Sequence, residues 1–140
     1  VSELALHLNC ACFLRAYARN DVMWFHVPNG ERRDGRTAVK LKDMGTRPGV
    51  ADFIVIAQGR VHGIELKDGG SQSKAQQAFQ CDLERAGGHY HVARSLEQFI
   101  GILNAIGAVR RMVSPAGLGA RTPEAHPSGE HFTEPDRALA

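Results

Sequence analysis

Apolar positions fall in short blocks along the chain, and their period switches between that of a helix and that of a strand. Leu4, Leu8, Ala11 and Leu14 recur at helical spacing after Ser2. They predict a helix running to about Ala18, capped by Ser2, with those four side chains on its core face. Residues 22–27 (VMWFHV) form a strand-like run closed by the turn formers Pro28, Asn29 and Gly30. Residues 31–49 are polar and interrupted by Gly35, Gly45, Pro48 and Gly49, which predicts a loop with a short helix near 37–43. Two β-branched runs follow, 50–57 and 60–67, with Gln58-Gly59 as the turn between them. Asp68 to Gln72 reads as a mobile connector. Ser73 with Gln76, and Ser95 with Gln98, are capping-box pairs that open two further helices. The first of these stops at Gly87-Gly88, the second near Ile106, and residues 89–93 between them read as a strand. The order α-β-β-β-α-β-α predicts an α/β fold, a mixed central β-sheet flanked by helices. Residues 1–112 form its single domain. The proline-punctuated stretch 113–140 reads as a disordered tail.

The central hairpin carries the chemistry. A two-residue turn sets position 57 opposite 60, and the same register sets Asp52 opposite Glu65. Side chains alternate along a strand, so Lys67 projects on the same face as Glu65. Two carboxylates this close repel each other, and a divalent cation is what would let both ionise. A surface ion cluster bridged by Lys67 is the alternative. It balances charge without explaining why the acids adjoin a very apolar strand.

Charge sharpens the picture. Residues 1–112 hold fifteen Lys/Arg against eleven Asp/Glu, whereas residues 113–140 hold two against four. The densest basic stretch is Arg32, Arg33, Arg36, Lys40, Lys42 and Arg47, directly before the first acidic strand. A basic segment beside an acidic metal site suits a polyanionic substrate, with a solvated surface as the competing explanation. Three cysteines, Cys10, Cys12 and Cys81, without a C-x-x-C pattern, argue against a disulfide framework or zinc ribbon and fit a reducing cytoplasm. The absence of a long apolar run or a basic-then-apolar leader points the same way, away from a membrane. His26, His62, His89 and His91 are read as packed or rim residues, and no zinc site is expected.

Taken together, Gly49-Val-Ala-Asp52, Glu65-Leu-Lys67 and Ser73-Lys-Ala-Gln76 resemble the PD-(D/E)XK nuclease superfamily. More narrowly, they resemble the virus-type replication-repair (VRR-NUC) nucleases. Asn29-Gly30, Met44-Gly45 and Gly87 extend the likeness over residues 2–107; Ala51 departs from it, standing where the family usually has proline. The resemblance implies a restriction-endonuclease-like core and a Mg²⁺- or Mn²⁺-dependent DNA endonuclease of a bacterial or phage-infected cytoplasm. Asp52, Glu65 and the backbone carbonyl of Leu66 would hold the metal, Glu3 would be an extra ligand or else a solvated glutamate of the first helical turn, and Lys67 would handle the attacking water. Gln76 would hydrogen-bond near the site, or else serve only as a helix cap. Asn29, Arg32, Arg33, Lys40, Lys42, Arg47 and Lys74 are the candidate DNA contacts. The resemblance also implies a homodimer acting on branched DNA such as a four-way (Holliday) junction. A duplex or flap nuclease of the same fold, and a non-catalytic DNA-binding module, are the alternatives. Leu6, Cys10, Phe13 and Tyr17, with the Trp24 strand, are candidates for the dimer interface, because one helix face is already assigned to the core.

Overall fold

A computed structural model describes residues 2–29 and 34–111. The proposed tail and the candidate DNA contacts Arg32 and Arg33 lie outside the described residues. The elements are α1 (Glu3–Tyr17), β1 (Met23–His26), α2 (Gly35–Asp43), β2 (Phe53–Ala57), β3 (Arg60–Leu66), α3 (Lys74–Arg85), β4 (His89–Ala93) and α4 (Leu96–Ala105). The short helix near 37–43 is α2, so the order gains a helix between the first two strands. Asp34 caps it by accepting from the Thr37 amide at 2.7 Å. No described helix is long and apolar enough to cross a membrane.

The four strands form one mixed sheet in the order β1-β2-β3-β4, with β1–β2 and β2–β3 antiparallel and β3–β4 parallel. The hairpin register follows from its turn. Gln58 and Gly59 have φ of 53° and 73°, the paired positive values of a tight hairpin turn whose twist matches that of the strands. Ala57 then pairs with Arg60 and Phe53 with Ile64, the expected register. Asp52 lies one residue before the start of β2, and its side chain extends the pairing. Its Oδ2 accepts from the Leu66 amide at 2.8 Å.

One face of the sheet carries Phe53, Val55, Ala57, Ile64, Leu66 and Ala93, and α1 and α4 cover it with Leu6, Cys10, Leu14, Phe99 and Leu103. Phe53 and Phe99, both fully buried, have ring centroids 5.4 Å apart. Helix α3 packs against β4 on the other face, with the Phe79 and Tyr90 rings 6.2 Å apart. The expected phase of α1 is corrected here. Leu6, Cys10, Ala11 and Leu14 are buried, whereas Leu4 and Leu8 are 69% and 57% exposed. Apolar residues occur all round this helix, so periodicity alone does not select the side that meets the sheet. Leu6 and Cys10 are therefore core residues and no part of an interface. Trp24 also packs against the core from the inner side of β1.

Three imidazoles meet on the helix-covered face. His62 stacks against His89 and His91 with centroids 5.0 and 5.3 Å away, and its Nδ1 lies 3.1 Å from His91 Nε2. Burial, then the neighbouring His91 and His89, pushes the His62 ring down to about 4. The unfolded chain takes up that proton near the ordinary value of about 6.5. Stability contributed by neutral His62 should therefore be present above that pH and be lost as pH falls from about 6.5 towards about 4. Urea midpoints at pH 7 and pH 5 check this: the drop on acidification should be smaller in His62→Leu than in the native chain.

Candidate active site

The ends of β1, β2 and β3 and the start of α3 open onto one cleft of about 700 Å³, lined by Glu3, His7, His26, Asn29, Asp52, Glu65, Lys67 and Gln76 among others. Chain direction explains the convergence. β1 ends where β2 begins, β3 runs back to the same edge, and α3 starts eight residues after Leu66.

Asp52 and Glu65 meet here as the hairpin register requires. Burial raises the Asp52 carboxyl above its ordinary value, partly countered by the Leu66 amide it accepts from. Glu65 is held more tightly, its side chain only 5% exposed. Burial first, and Asp52 second, push its carboxyl up to about 7, with Lys67 pulling it down. Lys67 Nζ lies 3.9 Å from Glu65 Oε1. The same oxygen accepts from Gln76 Nε2, while Glu65 Oε2 is buried with no partner among the described residues. A buried carboxylate oxygen without a partner, beside a second raised carboxyl, is the chemistry of a cation ligand. Asp52 and Glu65 are hard-oxygen donors of the kind that suits Mg²⁺ or Mn²⁺, and Leu66 lines the same cleft.

The two readings of Gln76 are both realised, because an amide has two ends. Its Oε1 accepts from the Ser73 amide at 2.8 Å and completes the capping box of α3, while its Nε2 donates to Glu65. The helix start thereby orients the acid. Behind it, Gly49 lies with φ +75° against the Ala75 carbonyl and the Gln76 amide, where a side chain has no room.

The candidate DNA contacts divide. Asn29 Nδ2 donates to the Val50 carbonyl, tying the end of β1 to the segment that leads into Asp52. That N–H positions the backbone, and the Asn29 side chain is otherwise exposed. Arg47 is likewise engaged: Nη2 lies 2.9 Å from Asp82 Oδ2, and its guanidinium sits over the Phe79 ring. Lys40, Lys42 and Lys74 are exposed. Lys42 lines a second cleft of about 690 Å³ between α2 and residues 45–50, which shares Val27, Asn29 and Val50 with the first.

Glu3 reaches the cleft from the first turn of α1, and its Oε1 is 3.9 Å from His7 Nε2. His7 and His26 are the site residues that sequence reasoning missed. One nitrogen from each and an Asp52 oxygen lie within 4.8 Å of one another. Burial, followed by His7, lowers the His26 ring below its ordinary value. The available signal was Glu3 and His7 at i, i+4, one face of one helix.

Comparison with protein-family models, characterised proteins and solved structures returned no match.

Proposed function

We propose that this chain is a metal-dependent endodeoxyribonuclease that hydrolyses phosphodiester bonds, acting on branched DNA as a dimer. The observation that carries the reading is the meeting of Asp52 and Glu65 in one cleft, where Glu65 keeps a buried oxygen with no partner among the described residues, both carboxyls are raised, and Lys67 lies alongside. The residue likeness to the VRR-NUC nucleases adds to it. Asp52, Glu65 and the Leu66 carbonyl would hold Mg²⁺ or Mn²⁺. When bound, the metal supplies Lewis acidity that polarises the scissile phosphate and lowers the pKa of water.

The chain's own residues do the rest. Gln76 fixes Glu65 by hydrogen-bonding one carboxylate oxygen, which leaves the other available. Lys67 presents an ammonium to the phosphate oxygens, where negative charge grows as water attacks phosphorus and the P–O bond to the leaving oxygen breaks. The cleft beside α2 would give a strand a path past Lys42, and exposed Lys74 opens α3 two residues before Gln76.

One Asp–Glu–Lys site cuts one strand, so symmetric cleavage of a four-way junction takes two copies. With Leu6 and Cys10 in the core, the dimer surface is assigned instead to the outer side of β1–β3. Met23, Phe25 and Val61 are 62%, 43% and 37% exposed there, and Met23 and Phe25 pair with Ile56 and Ile54 across β2.

A panel of labelled duplex, flap, splayed-arm and four-way-junction DNAs, incubated with Mn²⁺, Mg²⁺ or EDTA, tests this. Paired nicks in the junction, abolished by EDTA, are expected, together with a dimer mass by light scattering. Equal cutting of plain duplex would make it a general duplex nuclease. Binding without cleavage of any substrate would make it a DNA-binding module.

A further inference from the structure

The acidic pair is not the only donor set at the cleft. His7 comes from the second turn of α1, His26 from the end of β1, and Asp52 from the entry to β2. His7 Nδ1 and His26 Nε2 are 3.0 Å apart. Two nitrogens each about 2.1 Å from one ion stand about 3.0 Å apart at a right angle and about 3.4 Å apart at the tetrahedral angle. Without metal this contact is a hydrogen bond between the two rings, yet its length also matches adjacent ligands on one ion, and Asp52 brings an oxygen within 4.8 Å of both nitrogens.

The far side of His7 supports the same reading. Its Nε2 is buried and has no hydrogen-bond partner among the described residues, while Glu3 Oε1 lies 3.9 Å away on the same helix face. A small rotation of the exposed Glu3 side chain lets it accept the Nε2 proton. That places the free lone pair on Nδ1, the nitrogen facing His26. A carboxylate behind a ligating imidazole is the usual way its tautomer and ring orientation are set. Glu3 is in this arrangement a positioning residue.

We propose that His7, His26 and Asp52 form a binding site for a divalent transition-metal ion of the nitrogen-accepting class, Co²⁺ or Zn²⁺, beside the all-oxygen position of Asp52 and Glu65. Two imidazoles and one carboxylate favour such ions over Mg²⁺, which prefers oxygen and gives up water reluctantly. Asp52 is shared, so the two positions would sit on either side of one carboxylate. The site stands on its own geometry and does not require that the protein cut DNA.

Co²⁺ is the probe, because its visible absorption reports nitrogen ligation directly. Titration of the full chain with Co²⁺ should give a nitrogen-ligated spectrum at one equivalent. His7→Gln and His26→Gln should each weaken it by on the order of 100-fold, the upper end of what even outer-shell losses cost. Glu65→Gln should keep the spectrum and lose only the all-oxygen position, and Glu3→Gln should keep the nitrogen-ligated spectrum while weakening binding about 10-fold. His26 is exposed, so its variant keeps the test valid if His7→Gln fails to fold. Failure of the native chain to bind Co²⁺, or binding lost in Glu65→Gln and retained in both histidine variants, overturns the proposal. Metal-dependent cleavage persisting in His26→Gln alongside lost Co²⁺ absorption would separate this site from the nuclease reading.

Discussion

Asp52→Asn and Glu65→Gln are each expected to reduce metal-dependent cleavage by about 10³-fold or more, with the fold intact. The isosteric amides are chosen because the structure gives each acid a second duty. Asn at 52 still offers an oxygen to the Leu66 amide, which Asp52 accepts at 2.8 Å; alanine would leave that amide unpaired and confuse lost folding with lost chemistry. Gln at 65 still accepts from Gln76. Full Mn²⁺-dependent activity in either variant would remove the acidic pair from the mechanism.

The same substitution has a stability signature opposite in sign to that of His62. Glu65 is raised to about 7 in the folded chain, chiefly by burial, so the folded state binds its proton more tightly than the unfolded state. The contribution of protonated Glu65 is present below the ordinary carboxyl range and is lost as pH rises through about 7. Glu65→Gln should therefore stabilise the metal-free protein at pH 8, by on the order of 2 kcal/mol, and change little at pH 5. Urea denaturation at the two pH values, without metal, reads this. Lys67→Ala belongs to the same set with a different expectation: turnover falls, but calorimetry should find Mn²⁺ affinity kept or increased, because an ammonium 3.9 Å from Glu65 opposes a second cation.

Gly49→Ala should cost about 3 kcal/mol or more and lower activity in whatever fraction remains folded. A methyl group at this position overlaps the Ala75 carbonyl and comes within 2.6 Å of the Gln76 amide, on a backbone whose φ of +75° disfavours any side chain. Both obstacles are backbone atoms of the first turn of α3, so relief requires moving the helix start. Moving it pulls Gln76 from Glu65. Gly45→Ala is the control, because φ is +94° there but nothing lies within 4 Å of the added carbon. Its cost should be only the conformational one, about 1 kcal/mol. Equal thermal midpoints for the two variants would mean that the close approach of Gly49 to α3 contributes nothing.

What was legible in the sequence rests on local rules, and its errors have physical causes. Ser2, Ser73 and Ser95 each cap the expected helix, because a capping hydroxyl needs only the amide three residues ahead. The second capping box is half formed: Ser95 accepts from Gln98, but Gln98 Oε1 takes the Arg94 amide at 2.8 Å in place of the Ser95 amide. One residue of difference in the chain entering α4 selects between two equivalent donors. Polarity placed Asn29 and Arg47 among the candidate DNA contacts, but it gave no sign that each also has a partner within the fold. Their partners, the Val50 carbonyl and Asp82, are 21 and 35 residues away and come near only when the chain folds.

The sequence by itself determined the elements and the hairpin register, and through the register the meeting of Asp52, Glu65 and Lys67. Capping and strand alternation act over a few residues, and a two-residue turn leaves little freedom in what faces what. Tertiary structure alone decided which side of α1 is buried, since apolar residues surround that helix and only its packing against the sheet and α4, where Phe53 meets Phe99, buries Leu6 and Cys10 in place of Leu4 and Leu8. It also decided that His7 and His26 lie 3.0 Å apart. Nineteen residues separate them, and no local period relates a helix position to a strand end. Their meeting depends on how α1 crosses the sheet, a consequence of core packing and not of any motif.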